Sequence, residues 1–400
     1  MKIAHVVNLV DEIGSYGGPL RVAVNQLHEL RDRGHDVVLL AGYRGDRSAL
    51  GPGTYAGLPT IRFRTRSAAR GNGFAGNLAW GLHGYLLRRV EQFDLVHIHL
   101  GRDLTSLPAT ATVRAHGVPY VVQPHGMIGP SGRRSAALLD TMLTRSALAS
   151  ARAVLLLTDA ERGEVDAVLD GRAWTGVVLG NGVPGPPALR YYEDGGPPEV
   201  LFLSRLQERK RPLLFVEAAR IALAAGVRAR FTLVGPDEGL GPAVRDAIGV
   251  VRADRAGGDV EGKPVISYEG PAPLDGADRV STARILVHPA VDEPFGMVLI
   301  EAMGAGLPVV CTRSCGLATA IEAAGAGMVV PDGDPGAIAR AVERLVSDQE
   351  LARRCGCAGV RLVRERFTAR VVADRLEQVY HEAAAVPSPV AGLVRPRVTP

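Results

Sequence analysis

The sequence contains no uninterrupted apolar run approaching the roughly 18 residues that a membrane-crossing helix needs, so no transmembrane span is expected. Charge of one sign is also scarce. Forty-six Lys+Arg against 42 Asp+Glu leave a net charge of +4, which argues against a dedicated nucleic-acid binder. There are four cysteines, Cys311, Cys315, Cys355 and Cys357. Their spacings match no common zinc pattern, and a chain of 400 residues does not need disulfide staples. A reduced, cytoplasmic protein is expected. The segment EIGSYGGPLRVAVNQL after the first predicted strand is not the G-x-G-x-x-G fingerprint, so a nicotinamide dinucleotide is not indicated. The N-terminus, MKIAHVVNLVDEIG, meets acids by residue 11 and has no small-residue cleavage site. It reads as a first strand, not a signal peptide. Lysine is rare: Lys2, Lys210 and Lys263 stand against 43 arginines, so each lysine's position is informative.

Apolar content is 46%, enough to exclude a mainly disordered chain. Short β-branched runs alternate with helical periodicity from end to end. Strands are predicted at 2–8, 36–42, 60–65, 95–100, 120–124, 153–158 and 175–179. Further strands are predicted at 199–204, 230–235, 265–269, 284–288, 307–311 and 327–330. Helical patterns include 19–33, 76–90, 210–225, 334–347 and 368–384. This alternation predicts an α/β protein with parallel sheets covered by helices on both faces. Residues 183–198 hold five prolines and three glycines and read as an interdomain linker. Two doubly wound domains of similar size follow, with ligands expected beyond the carboxyl ends of the strands and in a cleft between the domains. Residues 1–185 carry 20 basic and 15 acidic residues, whereas 186–400 carry 26 and 27. The basic excess therefore sits in the first half. The tail 386–400 has four prolines and no periodicity and is expected to be disordered.

Four segments carry chemistry. The first is EPFGMVLIEAMGAGLPVVCT, residues 293–312, with Glu293 and Glu301 eight positions apart. Phe295-Gly296 reads as a loop opening a helix at 297–305, whose free N-terminal amides suit an anion or sugar hydroxyls. At about 1.5 Å per helical residue the two carboxylates would lie roughly 12 Å apart. That exceeds the ~5–9.5 Å of a glycosidase pair, so two separate contacts along one ligand are expected. The second is VLFLSRLQERKRP, where Arg205 and Lys210 follow a strand and suit a diphosphate. Arg209 and Arg211 read as solvated. The third is EIGSYGGPLRVAVNQL, where Gly17 and Gly18 let backbone amides approach a phosphate or sugar. The fourth is VVQPHGMIGP, which puts His125 at a strand's carboxyl end. His97 and His99 share a strand face, but no third ligand is visible, so no metal site is expected. Asn181-Gly182 reads as a turn.

Taken together, GSYGGP, PHGM, NGV, SRLQERK, LVGP and EPFGMVLIEAMGAGLPVV resemble the retaining nucleotide-sugar transferases of glycosyltransferase family 4. The resemblance runs from about residue 2 to 384, with the motifs in the family's order. It implies the GT-B fold, two Rossmann-like domains facing across a cleft. An acceptor domain would occupy 1–185 and a donor domain 186–367, with a helix at 368–385 crossing back to the first domain. It implies that Arg205 and Lys210 hold the donor diphosphate, that Glu301 grips the ribose hydroxyls, and that Glu293 lies at the transferred sugar. The backbone of Phe295, Gly296, Met297 and Val298 would contact sugar and phosphate. His125 would lie near the reaction centre, and Gly17-Gly18 near phosphate and acceptor. Ser204 departs from the family's usual glycine before the arginine, and a small residue still fits.

The expected activity is transfer of a hexose-type sugar, with retention, from a nucleoside diphosphate (UDP or GDP) to a hydroxyl of a polysaccharide, glycolipid or natural product. No cofactor and no metal are expected; the cations would do a metal's work. No carboxylate is placed as nucleophile, which favours front-face attack. Two rivals stand beside this: a sugar-nucleotide epimerase or phosphorylase of the same fold, and a non-catalytic sugar-binding protein of the periplasmic type. Peripheral contact with the inner membrane face is a further reading. It rests on Leu78, Leu82, Tyr85 and Leu86 near Arg88-Arg89, on Arg133-Arg134, and on Arg62, Arg64 and Arg66 alternating along one strand face. The same residues would equally make an ordinary core helix with solvated charges.

Overall fold

The computed structural model describes residues 1–11, 17–67, 76–184, 196–253, 259–260, 263–271, 279–280 and 282–385. Most of the expected linker and the whole tail 386–400 lie outside the described residues. The chain forms two compact units, Met1–Gly182 with the segment from Ala369 onward, and Val183–Thr368. Val183 and Thr368 form a parallel bridge, and the Val183 amide donates to the Phe367 carbonyl at 2.9 Å. The two points where the chain enters and leaves the second unit are thus tied side by side.

The main sheet of the first unit has eight strands: β1 (Lys2–Asp11), β2 (Asp36–Arg44), β3 (Gly51–Tyr55), β4 (Leu58–Arg64), β5 (Leu95–His99), β6 (Tyr120–Gln123), β7 (Ala153–Leu156) and β8 (Gly176–Val178). Their order is β8-β7-β6-β5-β1-β2-β4-β3, parallel except for the β3–β4 pair. The edge strand β3 has no sequence signal, because GPGTY is polar and carries Gly and Pro. One sheet face packs Leu82 and Leu86 of α2 (Trp80–Arg89), Leu107 of α3 (Ser106–Ala115) and Val165 of a later helix into one core. On the other face, α1 (Gly17–Asp32) and the C-terminal helix (Ala369–Ala385) share a second core with Ile3, Val7 and Leu95. Arg33 fastens the C-terminal helix through Asp374 (2.7 Å) and Glu377 (2.9 Å). Such partly exposed pairs contribute about 0.2–1 kcal/mol each. Burying Val372, Leu376 and Val379 contributes about 1.5–3 kcal/mol per residue. The apolar seam, not the charges, holds the helix.

The main sheet of the second unit has six parallel strands: β9 (Glu199–Leu203), β10 (Arg230–Val234), β11 (Ile266–Tyr268), β12 (Ile285–His288), β13 (Val309–Thr312) and β14 (Gly327–Val330). Their order is β11-β10-β9-β12-β13-β14. The chain therefore winds one way from β9 and the other way from β12, which leaves a switch point between their carboxyl ends. The first unit has the equivalent point between β1 and β5.

A helix at Met297–Gly304 packs on a long helix at Gln349–Arg366 through glycine. A Cβ on Gly356 would sit 2.1 Å from the Gly306 carbonyl oxygen. Alanine there would add up to about 1 kcal/mol of helix propensity. The backbone clash costs more. We expect Gly356→Ala to lose about 1–2 kcal/mol net, read by denaturant unfolding of the full chain. A stabilised variant would contradict this packing.

Candidate active site

In the second unit, the switch point gathers the loops after β9 and β12. Ser204 leaves β9 with its amide on the Val234 carbonyl. A Cβ on Gly235 would lie 1.9 Å from the Ser204 oxygen. The close approach that a glycine at 204 would allow is therefore provided from the β10 side. Arg205 follows and donates to Glu238 at 2.9 Å, both side chains well exposed. Lys210 ends a 3₁₀ turn, Glu208–Lys210, which Arg211 closes in the left-handed conformation (φ 54) before Pro212 opens the next helix. Beyond β12, Asp292 is also left-handed (φ 48), and the turn drives Glu293 inward.

Lys210 and Glu293 meet there as a buried ion pair, with side chains 11% and 10% exposed. His288 Nε2 lies 3.5 Å from the same Glu293 oxygen. Burial alone would raise the Glu293 pKa. The His288 contact and the Lys210 ammonium outweigh it and hold the carboxylate well below its usual range. Burial pushes the Lys210 ammonium down, and Glu293 resists that shift. Arg209 is not simply solvated, as the sequence suggested. It donates to the Asp292 carbonyl at 3.0 Å, and its own carbonyl accepts from Val291. It clamps the two loops together. Arg211 is exposed.

Phe295 is buried edge-on against Phe367 at 5.7 Å and anchors the loop from below. Gly296 (φ 87) caps the Met297–Gly304 helix without any side-chain hydrogen bond, and Met297 and Val298 form its first turn. Glu301 lies one turn further on, half-buried. Only four of the eight steps from Glu293 to Glu301 are helical, so the 12 Å span inferred from helical rise does not apply.

In the first unit, His125 follows β6 in the left-handed region (φ 56) and is 8% exposed. Glu161 holds its loop by accepting from the Gly126 and Leu157 amides, each at 2.6 Å. Arg102 pairs with Asp140 and donates to the Gly129 carbonyl at 2.6 Å. Gly17 and Gly18 open α1, while the preceding residues 12–16 lie outside the described residues. A Cβ on Gly18 would meet no atom within 4 Å, so packing does not demand glycine there. Asn181 is more than a turn residue. It is buried and accepts from Gln123, which in turn accepts from Gln26, at 3.2 Å each. Glu161 and Arg102 carry no local sequence signal, because each acts across the fold, and His288, five residues before its partner Glu293, reads only as the end of a strand.

His97 and His99 do have a third histidine beside them. His5 comes from the neighbouring strand β1, and one nitrogen from each ring lies within 4.8 Å of the others. The rings of His97 and His99 are stacked, 4.4 Å apart and 16° from parallel. In-plane lone pairs of stacked rings run side by side and do not converge on one ion. His5 and His97 also each bond the Tyr380 hydroxyl, at 2.9 and 2.6 Å. The arrangement is a hydrogen-bonded stack.

The basic and apolar residues read as a membrane face are mostly engaged elsewhere. Leu82 and Leu86 are fully buried. Arg62 donates to the Ala49 carbonyl and lies over Tyr43, and Arg66 belongs to a separate two-residue strand rather than to β4. Among the described residues of the first unit, the exposed large apolar side chains are Trp80 and Leu87 on α2, and Leu138 and Met142 after Arg133-Arg134.

Burial holds His5 and His125 down at about 3, and His97 and His99 well below the ordinary 6.5. These rings stay neutral when folded and bind protons when unfolded. Their stabilisation is complete above pH 6.5 and is lost as pH falls from 6.5 toward 3. Calorimetry in buffers of different ionisation enthalpy should show unfolding at pH 5 taking up about four protons on their account. Proton-neutral unfolding there would contradict the burial of the stack.

Residues 17–182 match the family model described as "Glycosyl transferase 4-like domain", and 197–348 match "Glycosyl transferases group 1". The D-inositol 3-phosphate glycosyltransferase of Frankia alni is 30% identical over 293 residues, 67% of this chain and 69% of that one. That of Streptomyces bingchenggensis is 33% identical over 193 residues, and the match spans only 42% of its length. Sucrose-phosphate synthase from Thermosynechococcus elongatus has the same fold, with a TM-score of 0.71 at 19% identity over 95% of this chain and 98% of that one. Anabaena HepE, solved with UDP and glucose, superposes with a TM-score of 0.72 at 17% identity over 95% and 99%. On these matches and the two parallel-sheet units, the chain belongs to glycosyltransferase family 4, with the GT-B fold.

Proposed function

We propose that this protein transfers a hexose-type sugar, with retention, from a UDP- or GDP-sugar to a hydroxyl acceptor, a polysaccharide, glycolipid or small natural product. The observation that carries the reading is the buried Lys210–Glu293 pair at the switch point of the second unit, beside Arg205 and a helix N-terminus with no side-chain cap. An ammonium has three donors, and Glu293 needs only one of them. The others serve the donor's β-phosphate. Arg205 is held only by an exposed pair with Glu238, worth about 0–1 kcal/mol, which a diphosphate readily replaces. Charge grows on the leaving phosphate as the anomeric bond breaks. Arg205, Lys210 and the amides of Gly296, Met297 and Val298 oppose that charge without reorganising. The leaving phosphate accepts the acceptor's proton. Glu301 holds the ribose, Glu293 contacts the sugar, and Phe295 keeps the loop in place, while His125 and Gly17-Gly18 carry the roles that the family resemblance implies, His125 at the reaction centre and the glycines at phosphate and acceptor. Anabaena HepE, solved with UDP-glucose, supports a nucleotide-sugar donor for this fold. No metal or cofactor is part of the proposal.

The test is thermal unfolding with UDP, GDP, ADP and dTDP, each with and without magnesium. A diphosphate at 100 times its Kd adds about 2.7 kcal/mol. One base should give a clear shift, and Glu301→Ala should abolish it and depress transfer. No shift with any diphosphate, or an unchanged response in Glu301→Ala, would overturn the donor site. Donor isomerisation without acceptor would favour the epimerase reading.

We also propose peripheral membrane contact through Trp80, Leu87, Leu138 and Met142, exposed by 58–70% and flanked by Arg88-Arg89 and Arg133-Arg134. Cosedimentation with anionic vesicles, reduced by salt and by Trp80→Ala, is expected. Equal recovery with and without vesicles would refute it.

A further inference from the structure

Four imidazoles and one phenol in the first unit form an unbroken chain of hydrogen bonds. His125 Nε2 lies 2.7 Å from His99 Nδ1, and His99 Nε2 lies 3.1 Å from His5 Nδ1. His5 Nε2 lies 2.9 Å from the Tyr380 hydroxyl, which lies 2.6 Å from His97 Nδ1. The two ends, His125 Nδ1 and His97 Nε2, have no hydrogen-bond partner among the described residues. The alternation of β1 and β5 explains the assembly. Residues 5, 97 and 99 point to the side covered by the C-terminal helix, where Tyr380 is fully buried.

The hydrogens can be counted. With every ring neutral, four imidazoles and one phenol carry five mobile hydrogens. Four bonds use four of them. The fifth must sit at one end of the chain, on His125 Nδ1 or on His97 Nε2. Moving the four bridging hydrogens across their bonds, with the fifth released to solvent at one end and one taken up from solvent at the other, exchanges these two states with no change in net charge. Burial keeps all four rings neutral and the phenol protonated, so the count holds at physiological pH.

The distances choose between the states. O–H donors give shorter bonds than N–H donors, with modes of about 2.7–2.8 Å against about 2.9–3.0 Å. The Tyr380 hydroxyl therefore donates along its 2.6 Å bond to His97 and accepts along its 2.9 Å bond from His5. The rest is forced. His5 carries its hydrogen on Nε2, so its Nδ1 accepts from His99 Nε2, and His99 Nδ1 accepts from His125 Nε2. We infer that His125 is held as the Nε2–H tautomer, with a bare Nδ1 lone pair, by a proton wire whose polarity is fixed at Tyr380 and His97. His99, His5, Tyr380 and His97 are positioning residues: they let a neutral ring at position 125 accept a hydrogen bond from a hydroxyl without first losing or gaining a proton. The benefit to catalysis rests on the proposed place of His125 beside the sugar. The tautomer itself does not.

Histidine-selective ¹⁵N labelling of the full chain tests this without an activity assay. Two-bond proton–nitrogen correlation spectra report which nitrogen of each ring carries hydrogen. Native His125 should show a protonated Nε2 and an unprotonated Nδ1. In His97→Phe the Tyr380 hydroxyl can donate only to His5 Nε2, which reverses every bond. His125 should then switch to the Nδ1–H form, although position 97 is separated from it by four hydrogen bonds. A merely structural role for His97 would not move the hydrogen on His125. A protonated Nδ1 in the native protein overturns the assignment, and an unchanged His125 in His97→Phe overturns the wire. Should His97→Phe fail to fold, Tyr380→Phe takes its place. It removes the acceptor that fixes the polarity, so the Nδ1–H form should become populated, and an unchanged spectrum again refutes the wire.

Discussion

The ammonium of Lys210 could not stay in the second unit without the carboxylate of Glu293. Desolvating a single charge costs several kcal/mol, and only a partner in contact offsets it. That constraint shapes the surrounding backbone. Arg211 and Asp292 both adopt left-handed conformations so that the two loops can turn toward each other, and Arg209 bridges them. Phe295 and the Met297–Gly304 helix then follow in a fixed register behind Glu293. A single ion pair thus sets the geometry of both motifs that make this unit look like a nucleotide-sugar site.

The first unit solves the opposite problem. It buries four imidazoles and keeps them uncharged, so no counter-ion is needed. Each ring satisfies its neighbour instead. The strand alternation that lines up His97 and His99 also presents them to one helix, and Tyr380 closes the chain from that helix. The Lys210 site is built on a compensated charge and the His125 site on uncharged rings, so two of the residues singled out by family resemblance sit at contrasting points.

Much of this was legible in the sequence. Thirteen strand predictions coincide with observed strands to within a few residues, because buried parallel strands are near-continuous apolar runs. The polar edge strand Gly51–Tyr55 was invisible, since nothing buries it on both faces. Lys210 stood out through the rarity of lysine, and Glu293 through its motif. The partners that make them intelligible did not. His288 reads only as the end of a strand, Glu161 and Arg102 act across tens of residues of chain, and His5 lies 92 residues from His97. A strand pairing brings such residues together, and the pairing is a property of the sheet, not of any local pattern. For the same reason the amphipathic run at 77–90 could be read equally as a lipid face or a core helix. The structure buries Leu82 and Leu86 in the core and leaves Trp80 and Leu87 of the same helix exposed.

The C-terminal helix has a consequence for the order in which the protein is made. The second unit is one continuous segment, Val183–Thr368, whereas the first is split between the two ends of the chain. Residues 1–182 leave the ribosome early, yet the side of their sheet that carries Ile3, His5 and Val7 waits for residues 369–385. Until then that apolar face lacks its second helix, and the imidazoles of His5 and His97 lack the hydroxyl they share. The unit begun first is therefore finished last. A nascent chain stalled between Thr368 and Tyr380 would carry a complete second unit and an open first one, and the histidine stack would come together only with the later turns of that helix.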